Sequence, residues 1–381
     1  MDEKWIMLAE QYVESHKGET IELLKKVAST PAPSHDEIRR AEFVKGWLSE
    51  QGAPGVFIDE SQSVYFAMND KGSNDVVIFM AHEDTVFPDT DTIAIEEKDG
   101  FLYAPGIGDN SSNLTNMMMS IKFIQENKLA PKNDLCIVFV ATAGEEGLGN
   151  LKGSVAACEK YKGRIKEVIG LDGNMKGIAD DAVGSHRYKV DVYTEGGHSY
   201  GAFGNRNAIH YLSSIIQTLY MMEVPKQAKT TYNVGKIEGG TSVNTIAEHA
   251  SMMYEFRSAD HECLKTMESY FNSVIESYVK SGIKVEVETL GVRPCKLGVD
   301  EAKQDELRKR SIECIKKYYD GDVSAHASST DSNIPLSMGI PSVTFGTMTS
   351  GGAHTRAEFM EMASLVPGQK IAITCMLHYL Q

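Results

Sequence analysis

The sequence predicts an α/β fold: a mostly parallel sheet covered by helices, interrupted by a smaller inserted α+β domain. Three observations lead there. Apolar runs at 75–81 (DVVIFMA), 134–142 (DLCIVFVAT) and 166–171 (KEVIGL) alternate with helix-like stretches, as buried parallel strands do. From about residue 186 the strands instead alternate apolar and polar positions, which implies a sheet with one wet face. Acidic and histidine residues follow the apolar runs, at the strand ends where open α/β sheets place their sites.

In chain order, residues 3–16 and 18–28 carry helical spacing. STPAPSHDE is a turn, with Ser34 predicted to cap a helix over 35–52 that Gly52, Pro54 and Gly55 end. Strands are predicted at 63–68 and 75–81, then a helix at 112–127, a strand at 134–142, a helix at 151–161 and a strand at 166–171. The next block reads strand 187–194, helix 206–222, strands 230–238 and 250–257, helix 261–280 and strand 283–290. That β-α-β-β-α-β order predicts an antiparallel sheet with two helices on one side. A helix at 300–318, a buried strand at 341–346 and a helix at 365–378 complete the chain. The expected domains are 1–185 with 294–381, and 186–293 inserted between them.

At 381 residues the chain is long enough for two domains, and 42% hydrophobic content suffices for a real core. Lys and Arg number 38 against 53 Asp and Glu, a net charge of −15. Such a surface repels phosphate backbones, so neither nucleic acid nor an anionic membrane is an expected partner. No apolar run is long enough for a membrane span, and the acidic start lacks the apolar core of a signal peptide. Six scattered cysteines without a CxxC read as thiols in a reducing compartment, so a cytoplasmic location is expected.

Five loci carry candidate chemistry. His82 and Asp84 share a face of an extended segment, being two residues apart. A carboxylate there can orient a metal-binding histidine, although a satisfied polar His is the plainer alternative. Gly106-Ile107-Gly108-Asp109 is either a plain turn or a glycine-permitted backbone presenting a carboxylate. Gly144-Glu145-Glu146-Gly147 is either a solvated loop or a working pair, one Glu binding metal while the other acts as general base. Asp172 follows the third apolar run, and His354 lies in SGGAH beyond the last one. Taken together, nearly every locus falls at a strand end, in the donor mix that zinc and hard divalent metals prefer.

Matched in order, AHEDT, AGEEG, GGHSYGAFGNRNAI, GGTSVNTIAEHASMMYEFR and STDSNIPLSMGIPSVTFG resemble the motifs of the M20 family of co-catalytic zinc metallopeptidases, over nearly the whole chain. That family includes tripeptidase T, dipeptidases, glutamate carboxypeptidases, aminoacylases and deacylases such as acetylornithine deacetylase. The resemblance implies a zinc-peptidase catalytic domain with a ferredoxin-like inserted lid that also dimerises. It implies two divalent metals, zinc first with cobalt or manganese as alternatives. His82, Asp109 and Asp172 would hold one, and Asp109, Glu146 and His354 the other, with Asp109 bridging. Asp84 would orient His82, and Glu145 would be the general base. His198 would act from the lid on the partner subunit's site, the alternative being a surface His without a role. Asn244 and Arg257 would bind substrate, with a structural ion pair the alternative for Arg257. A cis peptide is implied after Asp109. Two departures stand out. The bridging Asp is followed by Asn110-Ser111-Ser112 where the family carries a second acid and then Lys-Gly. Asp172 stands where carboxypeptidases and deacylases carry Glu, as in the dipeptidases and tripeptidase T. The expected activity is hydrolysis of amide bonds in short peptides. N-acyl-amino-acid deacylation, and a catalytically silent dimeric binding protein on the same fold, are the alternatives.

Overall fold

The computed structural model describes residues 3–381. It divides into two compact units: the chain up to Ala182 together with Leu297–Gln381, and Val183–Lys296.

In the larger unit an eight-stranded sheet runs in the order Phe57–Ile58, Val64–Met68, Cys136–Thr142, Val76–His82, Ile165–Leu171, Ser342–Phe345, Gly177–Ala182, Ser324–Ser328. The central pairings, from Cys136–Thr142 across to Ser342–Phe345, are parallel, which makes this a mixed α/β fold with a mostly parallel main sheet. Strands Val76–His82 and Cys136–Thr142 are buried at every residue. Alternate residues enter opposite faces: Val77, Phe79 and Ala81 pack with helices Asn113–Glu126 and Leu365–Met376, and Val76, Ile78 and Met80 with Ala157 and Cys158. Burial on both faces is why these strands read as unbroken apolar runs.

Three features depart from the sequence reading. Glu3–Ser29 is one helix of 27 residues, not two segments. Its buried positions Ala9, Tyr12, Val13, Thr20, Leu23, Leu24 and Val27 stay in helical phase across Gly18, so packing outweighs the roughly 1 kcal/mol that a mid-helix glycine costs. Ser34 caps nothing: the next helix, Ile38–Glu50, has Glu37 at its cap position without a side-chain cap bond, and the Ser34 hydroxyl turns to Asp84. The outer strands Gly177–Ala182 and Ser324–Ser328, and a small sheet of Ser350–Gly351, Phe359–Glu361, Phe101–Tyr103 and Glu96–Lys98, were not foreseen. Most are short or largely exposed, and Gly177–Ala182, though half buried, carries no apolar period.

The smaller unit is a four-stranded antiparallel sheet in the order Thr230–Gly239, His249–Ser258, Gly184–Tyr193, Lys284–Arg293, with helices Ala208–Tyr220 and His261–Lys280. Leu212, Ile215 and Leu219 of one helix and Leu264, Met267 and Phe271 of the other bury against Tyr188, Val190, Tyr254 and Phe256. The first helix therefore spends most of its apolar side chains inside its own unit. Ile209 and Tyr220 remain 46% exposed beside the open edge strand Thr230–Gly239. None of the six cysteines forms a disulfide, and all are buried. Among the described residues no helix is long and apolar enough to cross a membrane.

Candidate metal centre

Three neighbouring strands of the main sheet end side by side. Val76–His82 leads to Asp84, Cys136–Thr142 leads to Glu145 and Glu146, and Ile165–Leu171 leads to Asp172. Parallel pairing puts these ends on one edge, with His82 opposite Thr142 in register. Asp109 comes from an irregular turn, Ile107–Ser112, in which the Asp109–Asn110 peptide is cis. Its glycines leave room for close approaches: a Cβ on Gly106 would meet Thr85 at 2.6 Å, and one on Gly108 would meet Ser350 at 2.6 Å. His354 follows the short strand Ser350–Gly351.

Asp109 lies between two triads. Its Oδ1 is 3.0 Å from His82 Nε2, and its Oδ2 is 3.3 Å from His354 Nε2. His82 Nε2 is also 3.8 Å from Asp172 Oδ1, and His354 Nε2 is 3.2 Å from Glu146 Oε1. Ligands at about 2.0–2.2 Å around a tetrahedral zinc stand roughly 3.3–3.6 Å from one another. The separations of 3.0 to 3.8 Å straddle that spacing. Ligand atoms of His82, Asp109 and Glu146 all lie within 4.8 Å of one another. The donor set and its spacing fit a pair of divalent cations.

The electrostatics agree. No lysine or arginine pairs with Asp109, Asp172 or Glu146 among the described residues. Burial would raise Asp109, yet hydrogen bonds from His354 and His82 hold it well below the carboxylate range. Hydrogen bonds to Asp109 and Glu146 push His354 up to about 10. Burial opposes charge on His82, but Asp109 and Asp84 outweigh it and raise this group too. Asp172 is raised to about 7 by burial, which His82 opposes and Asp109 and Glu146 reinforce. The two triads favour positive charge where they meet.

Asp84 contacts more than His82. Its carboxylate accepts the backbone N–H groups of Glu145 at 2.9 Å and Glu146 at 3.0 Å, and the Ser34 hydroxyl at 2.6 Å. Its separation from His82 Nδ1 is longer, 3.6 Å. A fully buried carboxylate needs donors, and the turn carrying the two glutamates supplies them. Asn110 donates its Nδ2 to the Leu171 carbonyl at 2.9 Å, tying the Asp109 turn to the strand that carries Asp172. A carboxylate at 110 could not donate there. Glu358, which sequence reasoning missed, accepts the N–H groups of Gly106 at 2.8 Å, Gly108 at 2.8 Å and Asp109 at 2.7 Å. The only hint in the sequence is an acid four residues after His354; its partners lie some 250 positions away.

The remaining expected residues belong to the inserted unit. His198 is exposed on a short strand paired with Thr245–Ile246, and its Nδ1 accepts the N–H groups of Tyr200 and Gly201, each at 3.3 Å. Asn244 is beside it, its carbonyl accepting the Ser199 N–H at 3.0 Å. Arg257 is not brought to that end. It lies eight residues along strand His249–Ser258, roughly 26 Å in extended chain, and pairs with Glu255 at 3.0 Å.

Comparison with known proteins points the same way. The succinyl-diaminopimelate desuccinylase of Corynebacterium glutamicum is 25% identical over 349 residues, covering 90% of this chain and 91% of that protein. A tripeptidase of Staphylococcus aureus superposes with a TM-score of 0.75 at 21% identity, over 95% of this chain and 98% of that one. A Bacillus subtilis protein described as a dinuclear metal binding peptidase from the M20 family superposes with a TM-score of 0.63 at 14% identity, over 96% and 99%. The family model for peptidase family M20/M25/M40 matches residues 78–378. That match runs from before His82 to beyond His354, and by it the chain belongs to peptidase family M20/M25/M40, a family of metallopeptidases and related hydrolases of amide bonds.

Proposed function

We propose that the protein is a two-metal hydrolase of amide bonds in short peptides, of aminopeptidase, dipeptidase or tripeptidase type. One observation carries the reading: the two oxygens of Asp109 face different histidines, and each histidine is backed by a second carboxylate. His82, Asp109 and Asp172 would hold one divalent cation and Asp109, Glu146 and His354 the other, with zinc first and cobalt or manganese as alternatives. Such cations supply Lewis acidity to the amide carbonyl and to water.

The chain's own residues would handle protons and orientation. Glu145 is buried, and its backbone is held by Asp84. Adjacent side chains diverge, so with Glu146 turned toward His354 the Glu145 side chain would face the substrate. Its carboxylate takes a proton from the attacking water and passes it to the leaving amine nitrogen. With Nδ1 of His198 accepting two N–H groups, the imidazole proton sits on Nε2. It is thus free to stabilise a developing oxyanion, in the partner subunit's site. Asn244 would join it in binding substrate. Arg257 would bind a substrate carboxylate only by releasing Glu255. The homodimer would form through edge strand Thr230–Gly239 with Ile209 and Tyr220. The buried thiols suit a cytoplasmic location.

A second reading, N-acyl-amino-acid deacylation, is favoured by the likeness to a desuccinylase across 90% of the chain. Asp172 and the likeness to a tripeptidase favour the first. The test is a screen of the zinc-loaded protein against di- and tripeptides alongside N-acetyl, N-succinyl and N-carbamoyl amino acids. Peptide turnover upholds the first reading, cleavage of acyl amino acids alone moves the assignment to the second, and no turnover rejects both.

A further inference from the structure

A cavity of about 340 Å³ opens beside Asp172, on the same edge of the main sheet as the metal triads but displaced toward its outer strands. The register explains its position. Phe345 lies opposite both Leu171 and Ile178, and Ser324 opposite Gly177, so two outer strands begin where two inner ones end. Asp172 and Thr344 line the inner wall; Lys176, His326 and Ser328 line the outer one.

The charge of that outer wall is opposite to the centre's. Lys176 is the only lysine or arginine lining the cavity, and it pairs with no carboxylate among the described residues. This occurs in a chain whose acids outnumber its bases 53 to 38. Gly177 makes room for the wall: a Cβ there would meet His326 Cε1 at 2.7 Å, so the imidazole lies against the strand with Nδ1 turned to the Ser324 carbonyl at 3.2 Å. A negatively charged group in the cavity is attracted by the Lys176 ammonium.

We propose that this cavity is a substrate subsite that takes a carboxylate-bearing arm, with Lys176 as the cation that selects it. The inference rests on the proposed hydrolase activity and extends it to a substrate class: an amide whose reacting carbonyl lies at the triads and whose acidic group reaches along the sheet edge. Ligand pockets span about 300–1,000 Å³, so this one suits a short acidic arm and not an extended peptide. The carboxylate can belong to the acyl group, as in a succinyl amide, or to the chain terminus of a dipeptide.

Two substrate pairs separate these sources: N-succinylalanine against N-acetylalanine, and alanylalanine against its C-terminal amide. With zinc-loaded wild type, Lys176→Met and Lys176→Arg, the readout is kcat/KM for the acidic member over the neutral one. In one pair Lys176→Met should lower that ratio about tenfold, the weight of a hydrogen bond to a charged group, through KM, with Lys176→Arg retaining most of it. The pair that responds identifies the arm. An unchanged ratio in both pairs overturns the subsite. If no substrate is turned over by wild type, the hydrolase reading falls, and calorimetric titration of succinate against succinamide decides the cavity separately. A succinate preference lost in Lys176→Met upholds it, and a preference that survives, or is absent from wild type, overturns it.

Discussion

Truncating Glu358 to Ala should loosen the turn that holds Asp109. Glu358 is 1% exposed, and its two oxygens receive three backbone N–H groups: Gly106 on Oε2, and Gly108 and Asp109 on Oε1. Each buried donor left without an acceptor costs about 1–3 kcal/mol, so three amount to roughly 3–9 kcal/mol. Water entering the vacated volume recovers part of this, and the expected loss is about 3–5 kcal/mol. The loss is local: it falls on the backbone of Asp109, whose carboxylate serves both triads. Zinc affinity should therefore fall together with stability. Glu358→Gln keeps an acceptor for Gly108 and Asp109 but turns an amide NH2 toward the Gly106 N–H, for an expected loss of about 1–3 kcal/mol. Urea unfolding in excess chelator reads the stability, and competition with a chromophoric chelator reads the metal affinity. If Glu358→Ala stays within about 0.5 kcal/mol of wild type and binds zinc as tightly, the carboxylate does not hold the turn and the argument is wrong.

Glu145→Gln should lower kcat by about 10²–10⁴ with two metals still bound, whereas Glu146→Gln should bind one; metal analysis beside kinetics distinguishes them, and full turnover in Glu145→Gln rejects the base. Asp84→Asn leaves one good acceptor for three donors, so kcat should fall even at saturating zinc; an unchanged rate would show that the glutamate turn holds itself. Mixing inactive His198→Ala with inactive Glu145→Gln chains should restore activity toward about half per heterodimer, since one site is then intact; no recovery after proven subunit exchange rejects action in trans. Leu212→Ala, at a 1% exposed position, should cost about 2–5 kcal/mol in the inserted unit's melting, while Ile209→Ser should leave that melting alone and weaken the dimer in sedimentation; the reverse pattern would move the interface elsewhere.

What the sequence determined by itself is local. An unbroken apolar run needs cover on both faces, so the two central strands could be read directly from Val76–His82 and Cys136–Thr142. A residue just past such a run stands at a strand end, which is why His82, Glu145, Glu146 and Asp172 could be singled out before any geometry was known. Strand Ser324–Ser328 escaped because it is largely exposed, and Gly177–Ala182 because its buried residues, Ile178, Ala179 and Ala182, follow no alternation. Hydrogen-bond partners were not legible either. Ser34 looked like a helix cap but meets Asp84, 50 residues on, and Glu358 meets Gly106 from 252 residues away. Residue type and period act over a few positions, whereas a buried carboxylate takes whichever donors packing brings within about 3 Å. That pairing was decided only by the tertiary structure, whereas Asp109 between His82 and His354 was implied by the family resemblance and not by residue type or period.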